Sequence, residues 1–199
     1  MATGYDGEAP TPSPGLRERA RERRRAAMVD AALTLFAHHG YNSVTVADIC
    51  AAAEVSPRTF FRYFATKDDV LAEPTREMYS RLVEAIGSAP NDLDDAAVLA
   101  RAFTDLGDHV IGNRERLLTF VRITGSTDAA LRQAFGRFFT LERDLARHLV
   151  RRRDEAAEPS WQARLLTGRA LTGFRIWLDD VLLSNPPDPH AHLVEILSF

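Results

Sequence analysis

Residues 43–71 read SVTVADICAAAEVSPRTFFRYFATKDDVL, and three helix starts are written into them. Thr45 stands where a hydroxyl caps the chain that follows, with Asp48 three places on to reach back. Ser56-Pro57 is a second start, with serine as N-cap and proline at the first helical position, where its missing N–H costs nothing. Thr66-Lys67-Asp68-Asp69 repeats the capping logic. Val46, Ile49 and Cys50 are expected to face inward from the helix after Thr45, which runs to about Ala53. The helix at 58–64 has room for about two turns, and Glu54-Val55 is the tight connection before it. Together these two helices have the helix–turn–helix layout.

Upstream, Met28, Val29, Ala32, Leu33, Leu35 and Phe36 recur at helical spacing, so residues 17–39 read as one amphipathic helix stopped by Gly40. Residues 1–15 are rich in proline and glycine, with little to bury, and read as a disordered tail. Downstream there is almost no strand signal. The fourth helix should continue over 70–86, with Pro74 kinking or dividing it. Further helices are expected at 94–110, 113–123, 128–156, 159–184 and 189–198. The fold class is all-α: an N-terminal three-helix helix–turn–helix unit (16–66) followed by a larger helical domain (67–199).

The 199 residues suit one domain or two small ones, and no apolar run approaches the roughly 20 residues of a membrane-spanning helix. No basic start leads into an apolar stretch, so no secretory signal is read and a cytoplasmic location is expected. A single cysteine excludes an internal disulfide framework and a cysteine-cluster zinc site. The net charge of −3 hides an asymmetry: residues 1–67 carry 9 basic against 7 acidic side chains, and 68–199 carry 16 against 21. A basic end on an acidic body puts an anionic partner at the first third of the chain.

A helix–turn–helix reads DNA by laying its second helix in the major groove, first turn toward the base edges. Ser56, Pro57, Arg58 and Thr59 open that helix. Arg58 can pair bidentately with guanine, worth about 1–3 kcal/mol of discrimination. Thr59 offers a methyl to thymine or a hydroxyl to phosphate, and Tyr63 a phosphate contact one turn on. Thr45 and Lys67 mark helix starts, where free N–H groups favour phosphate oxygen. Phe60 and Phe64 are expected to pack rather than stack on bases, and Arg62 to be a surface or phosphate residue rather than a base reader. The arginine run at 17–25 is either a solvated face or a contact to phosphate or minor groove.

The 43–71 stretch, with the upstream AALTLFAHHGY at 31–41, resembles the DNA-binding signature of the TetR-type transcriptional regulators. The likeness covers roughly residues 24–71. Two positions depart from it: Glu54 stands in the turn where glycine is usual, and Phe61 where tyrosine is common. The resemblance implies a homodimer whose two N-terminal units bind the half-sites of a palindromic operator in double-stranded DNA. It also implies C-terminal helices that form an effector pocket and a dimerising four-helix bundle.

On that basis the expected function is a DNA-binding repressor released by a small hydrophobic or aromatic effector, with no enzymatic activity and no cofactor. Phe103, Phe120, Arg122, Phe135, Phe138, Phe139 and Trp177 are candidates for the pocket, with His109 and Tyr79 as further polar contacts. Leu165, Leu166, Leu171, Phe174, Trp177, Leu178, Leu182 and Leu193 are candidates for the dimer surface. A ligand is expected to act by shifting the fourth helix, which starts at Lys67. One alternative is a ligand-independent regulator controlled by a protein partner. Another is a helical-bundle enzyme or lipid carrier, for which residues 90–199 show no catalytic constellation. His38-His39 and His190-Ala191-His192 lack the i, i+4 spacing of paired metal ligands on a helix, so no metal is expected. Asp179-Asp180 reads as solvated, and Cys50 as a buried, inert thiol.

Overall fold

The capping residues do what their spacing requires. In a computed structural model describing residues 14–125, 141–153 and 158–198, Thr45 Oγ1 accepts from the Asp48 amide while Asp48 takes the Thr45 amide at 2.8 Å. Helix α2 therefore starts cleanly and runs Val46–Ala52. Ser56 Oγ accepts from the Thr59 amide and opens α3, Pro57–Tyr63. Thr66 and Asp69 form the second capping box and open α4, Lys67–Leu71. Ahead of them lies α1, Pro14–His39, which begins slightly before the sequence reading placed it. The rest of the expected N-terminal tail, residues 1–13, lies outside the described residues.

Pro74 divides the fourth helix. Its ring cannot donate to Val70, so the chain caps at Ala72 and restarts as α5, Glu73–Gly87, with proline in its first turn. Then follow α6, Asp95–Gly112, and α7, Arg114–Gly125. Helical residues 141–151 form α8, then come α9, Trp161–Leu183, and α10, Pro189–Leu197. Among the described residues there is no strand, and no helix is long and apolar enough to cross a membrane.

Two hydrophobic clusters organise the helices. The first collects Met28, Ala32, Leu33 and Phe36 of α1, Ile49 and Cys50 of α2, Phe60 of α3, Phe64, and Val70 of α4. Ile123 of α7 is buried in it, and Phe120 packs against it. The second is built from α5, α6, α8, α9 and α10 around Phe103, Leu106, Leu145, Phe174, Trp177 and Leu193, and Leu117 of α7 belongs to it. Helix α7 thus inserts one end into each cluster.

Polar contacts tie the clusters together. Arg116 on α7 meets Asp30 of α1 (Nε, 2.8 Å) and Glu77 of α5 (Nη1, 3.2 Å). Arg25 on α1 donates to Glu73 at the start of α5 at 2.7 Å. Arg114 donates to the Val181 and Leu182 carbonyls near the C-terminus of α9, satisfying groups that a helix end leaves open.

Candidate nucleic-acid interface

The first turn of α3 is the exposed edge of the N-terminal cluster. Phe60 and Phe64 point inward and are fully buried, as their spacing requires, which leaves Ser56, Pro57, Arg58 and Arg62 to solvent. Arg58 makes no hydrogen bond or ion pair with any described residue, so its guanidinium fork is available. Thr59 is half-buried, and its hydroxyl lies 3.0 Å from Ser56 Oγ, within the cap. Tyr63 is half-buried beneath the Arg62 guanidinium, 5.3 Å from its ring centroid. Phe61, one of the two departures from the family pattern, is 57% exposed on the same short helix.

The turn feeding α3 is set by Glu54, whose φ is +52°. This is the left-handed region that an L-residue enters at a cost and glycine enters freely. The Val55 amide then closes back on the Cys50 carbonyl at 3.0 Å, which fixes the angle between the two helices. Gly40, at φ 80° and ψ 144°, turns the chain out of α1. Burial pushes the Cys50 thiol up, and that keeps it protonated.

Thr45 and Lys67 are brought to one place, but their side chains are engaged. The Thr45 hydroxyl donates to Asp48 Oδ2 at 2.7 Å, and this bond with the Thr45 amide holds the Asp48 carboxyl below its ordinary range. Lys67 Nζ donates to the carbonyls of Tyr41 (2.9 Å) and Val44 (3.0 Å) and lies 4.4 Å from the Tyr41 ring centroid. Its ammonium therefore staples the start of α4 to the chain just before Thr45. The sequence pointed the free N–H groups of the helix start at Lys67 toward phosphate and was silent on the ammonium. Its partners are 23 and 26 residues away, so no local pattern could have revealed the staple.

The candidate effector residues separate. Phe103 and Trp177 are fully buried in the second cluster, where Phe174 packs in tilted contact with both, at centroid distances of 5.3 and 5.2 Å. Trp177 Nε1 donates to the Pro189 carbonyl at 2.7 Å. Phe120 packs against the first cluster, and Arg122 is exposed. Phe135, Phe138 and Phe139 lie outside the described residues. His109 and Tyr79 are partly buried, and desolvation lowers the imidazole's proton affinity while raising that of the phenol. Asn113 Nδ2 approaches His109 Nδ1 at 3.3 Å, and Glu77 Oε1 lies 3.4 Å from Nε2. A neutral ring with its proton on Nε2 satisfies both neighbours.

The candidate dimer residues also divide. Leu171, Phe174, Trp177, Leu182 and Leu193 are covered within the chain, in the cluster that α9 shares with α5, α6, α8 and α10. That corrects their reading as surface held for a second copy: helical periodicity marks an apolar face without saying which element covers it. Leu166 and Leu178 are partly buried against the same cluster. Leu165 remains 58% exposed and lies beside Trp161 (70%) and Ile176 (45%) on the outer face of α9. These residues line an open apolar cleft of about 830 Å³, bordered by Ile196 of α10 and by the Arg164–Glu142 ion pair (2.9 Å).

The paired histidines of α10 bond to carboxylates on two different helices, His190 to Asp108 and His192 to Asp180, each at 2.9 Å. Asp179 pairs with Arg175 at 3.3 Å. Among the described residues, no three His, Cys, Asp or Glu side chains gather as a metal site.

Comparison with known proteins agrees with this geometry. Residues 28–73 match the family described as bacterial regulatory proteins, tetR family. The chain is 30% identical over 159 residues to the HTH-type transcriptional regulator TcmR of Streptomyces glaucescens, an alignment covering 77% of this chain and 70% of that protein. It is 35% identical over 92 residues to an HTH-type transcriptional repressor of Mycobacterium tuberculosis, spanning 43% of this chain and 49% of that one. The crystal structure of a TetR transcriptional regulator from Nitrosomonas europaea shares the fold, with a TM-score of 0.59 at 20% identity over 88% of this chain and 94% of that one.

Proposed function

Because the chain belongs to the TetR family of helix–turn–helix transcriptional regulators, we propose that it is a repressor that binds a palindromic operator as a homodimer and is released by a small hydrophobic or aromatic effector. The observation that carries the DNA reading is Arg58, exposed and unengaged on the first turn of α3. In the proposed complex α3 lies in the major groove and Arg58 pairs with guanine in each half-site. Ser56, Pro57, Thr59 and Tyr63 border it, and Thr45 and Lys67 set the neighbouring helix starts against the phosphates.

The homodimer reading is supported by the outer face of α9. Trp161, Leu165 and Ile176 leave an apolar surface that a second copy would cover, and two-fold symmetry would then present two α3 helices to one palindrome. The effector reading is supported by the path between the clusters. A ligand among the middle helices would shift α5 or α7, and each is tied to α1, through Arg25–Glu73 and Arg116–Asp30 respectively. Moving α1 would change the spacing of the two recognition helices. Reciprocity then requires that operator weakens effector binding by the same factor.

The test is a salt-titrated selection from random duplexes, with Arg58→Ala beside the wild type. A palindrome should emerge, and Arg58→Ala should relax one position in each half-site at a cost of about 1–3 kcal/mol per contact. Weak, sequence-blind binding at every salt concentration would refute the reading.

A further inference from the structure

Helix α1 is longer than the cluster it serves. Among its described side chains the buried ones begin at Met28, and within residues 18–27 only Ala20 and Arg25 are even half-buried. About three turns of helix therefore stand clear of the domain as a stem. Glu18 and Glu22 stack on one side of it, four residues apart, while Arg19, Arg23 and Arg24 spread over the other, with Arg21 between. All four arginines are exposed and make no hydrogen bond or ion pair with described residues. A helix polar all round its surface buries nothing of its own and is suited to bridge to something else.

The stem leaves the domain at a defined point. Arg25 pairs with Glu73, and its guanidinium lies 5.3 Å from the ring centroid of Phe64, the residue that caps the C-terminus of α3. The stem thus emerges beside the end of the helix that carries Arg58. From Arg19 to Arg24 the helix rises about 8 Å along its axis, a little over the length of two base pairs, and the long arginine side chains extend that reach.

We propose that this arginine stem is a second DNA-contacting element, which grips the phosphates flanking the bases read by α3. It rests on the DNA-binding reading above, and it adds affinity without sequence preference, since phosphate contacts position and base contacts specify. Arg25 is not part of the grip, because Glu73 holds it. Arg19, Arg21, Arg23 and Arg24 are matched in sign to an anionic backbone.

The test uses the full chain and a duplex selected by the wild type, carrying ten flanking base pairs on each side as an experimental choice. The variant replaces Arg19, Arg21, Arg23 and Arg24 with glutamine, and a companion replaces them with lysine. Each neutralised phosphate contributes about 0.9 to the slope of log affinity against log salt, so four lost contacts lower it by about 3.6 per stem. Between 50 and 200 mM salt that is roughly a hundredfold difference in how far affinity falls. The lysine set should keep the wild-type slope, base preferences should be unchanged in both, and trimming the flanks should erase the difference between glutamine variant and wild type. A glutamine variant with the wild-type slope on the long duplex overturns the proposal. If the wild type selects no sequence, the same comparison is made on one arbitrary duplex of equal length, and a slope difference there would remove the α3 reading and leave the stem standing.

Discussion

Replacing Glu54 with glycine should stabilise the protein, because the side chain at this position costs more than it contributes. Glu54 is exposed, makes no hydrogen bond or ion pair through its side chain with described residues, and sits at φ +52°. An L-residue in left-handed backbone loses about 1–2 kcal/mol to the clash of Cβ with the carbonyl. Glycine removes that clash and gives back about 0.5–1 kcal/mol through its greater freedom in the unfolded chain. The net gain is about 0.5–1 kcal/mol, or a rise of roughly 1–4 °C in Tm for a chain of this size. Glu54→Ala is the decisive control, since it removes the carboxylate and keeps the Cβ, and should stay within about 0.5 kcal/mol of wild type. Urea unfolding at one fixed protein concentration reads both variants, with m unchanged and only the midpoint moving. If alanine stabilises as much as glycine, the strain argument fails and a charge effect takes its place.

Three further outcomes are expected. Gly107 of α6 lies where a Cβ would run into Leu193 of α10 and touch Trp177, both buried, so Gly107→Ala should cost about 1–2 kcal/mol despite alanine's better helix propensity; a gain in thermal stability would show that α10 yields. His109 is held neutral by burial and by Arg81 and Arg116, against the pull of Glu77, so its proton affinity is lower folded than unfolded. The unfolded chain therefore takes up the proton first as pH falls below about 6.5, and wild type should lose stability there that His109→Gln keeps; parallel urea midpoints for the two from pH 7.5 to 5.5 would contradict this. Arg116 and Asp30 should couple by about 0.5–1 kcal/mol in a double-mutant cycle read by denaturation, and additive losses would dismiss that pair as a tie between the clusters.

The parts of this fold that were legible in the sequence are those whose signals are short. Thr45 with Asp48, Ser56 with Pro57 and Thr66 with Asp69 act within three residues, and each helix begins where its cap says. Pro74 broke the fourth helix for a reason carried by one ring. Phe60 and Phe64 were recognisable as core from their spacing, and Glu54 as a non-glycine in a glycine's place. What stayed hidden depends on partners far along the chain. Lys67 bonds to residues more than 20 positions away, Arg25 finds Glu73 48 positions on, and Arg114 reaches carbonyls 67 and 68 positions on. Phe174, Leu182 and Leu193 show the same limit in the core: their pattern announced an apolar face, and only the packing of α5, α6, α8, α9 and α10 into one cluster decided that the chain itself would cover it.

Helix α7 carries one more consequence. Its Leu117 belongs to one cluster and its Ile123 to the other, with Phe120 alongside. The segment that matches the family, residues 28–73, therefore lacks a wall of its own interior, and that wall is supplied from some 50 residues further along. Cut out and grafted elsewhere, this reading head would carry an open side where Ile123 belongs. The stretch that matches the family is shorter than the interior it helps to build.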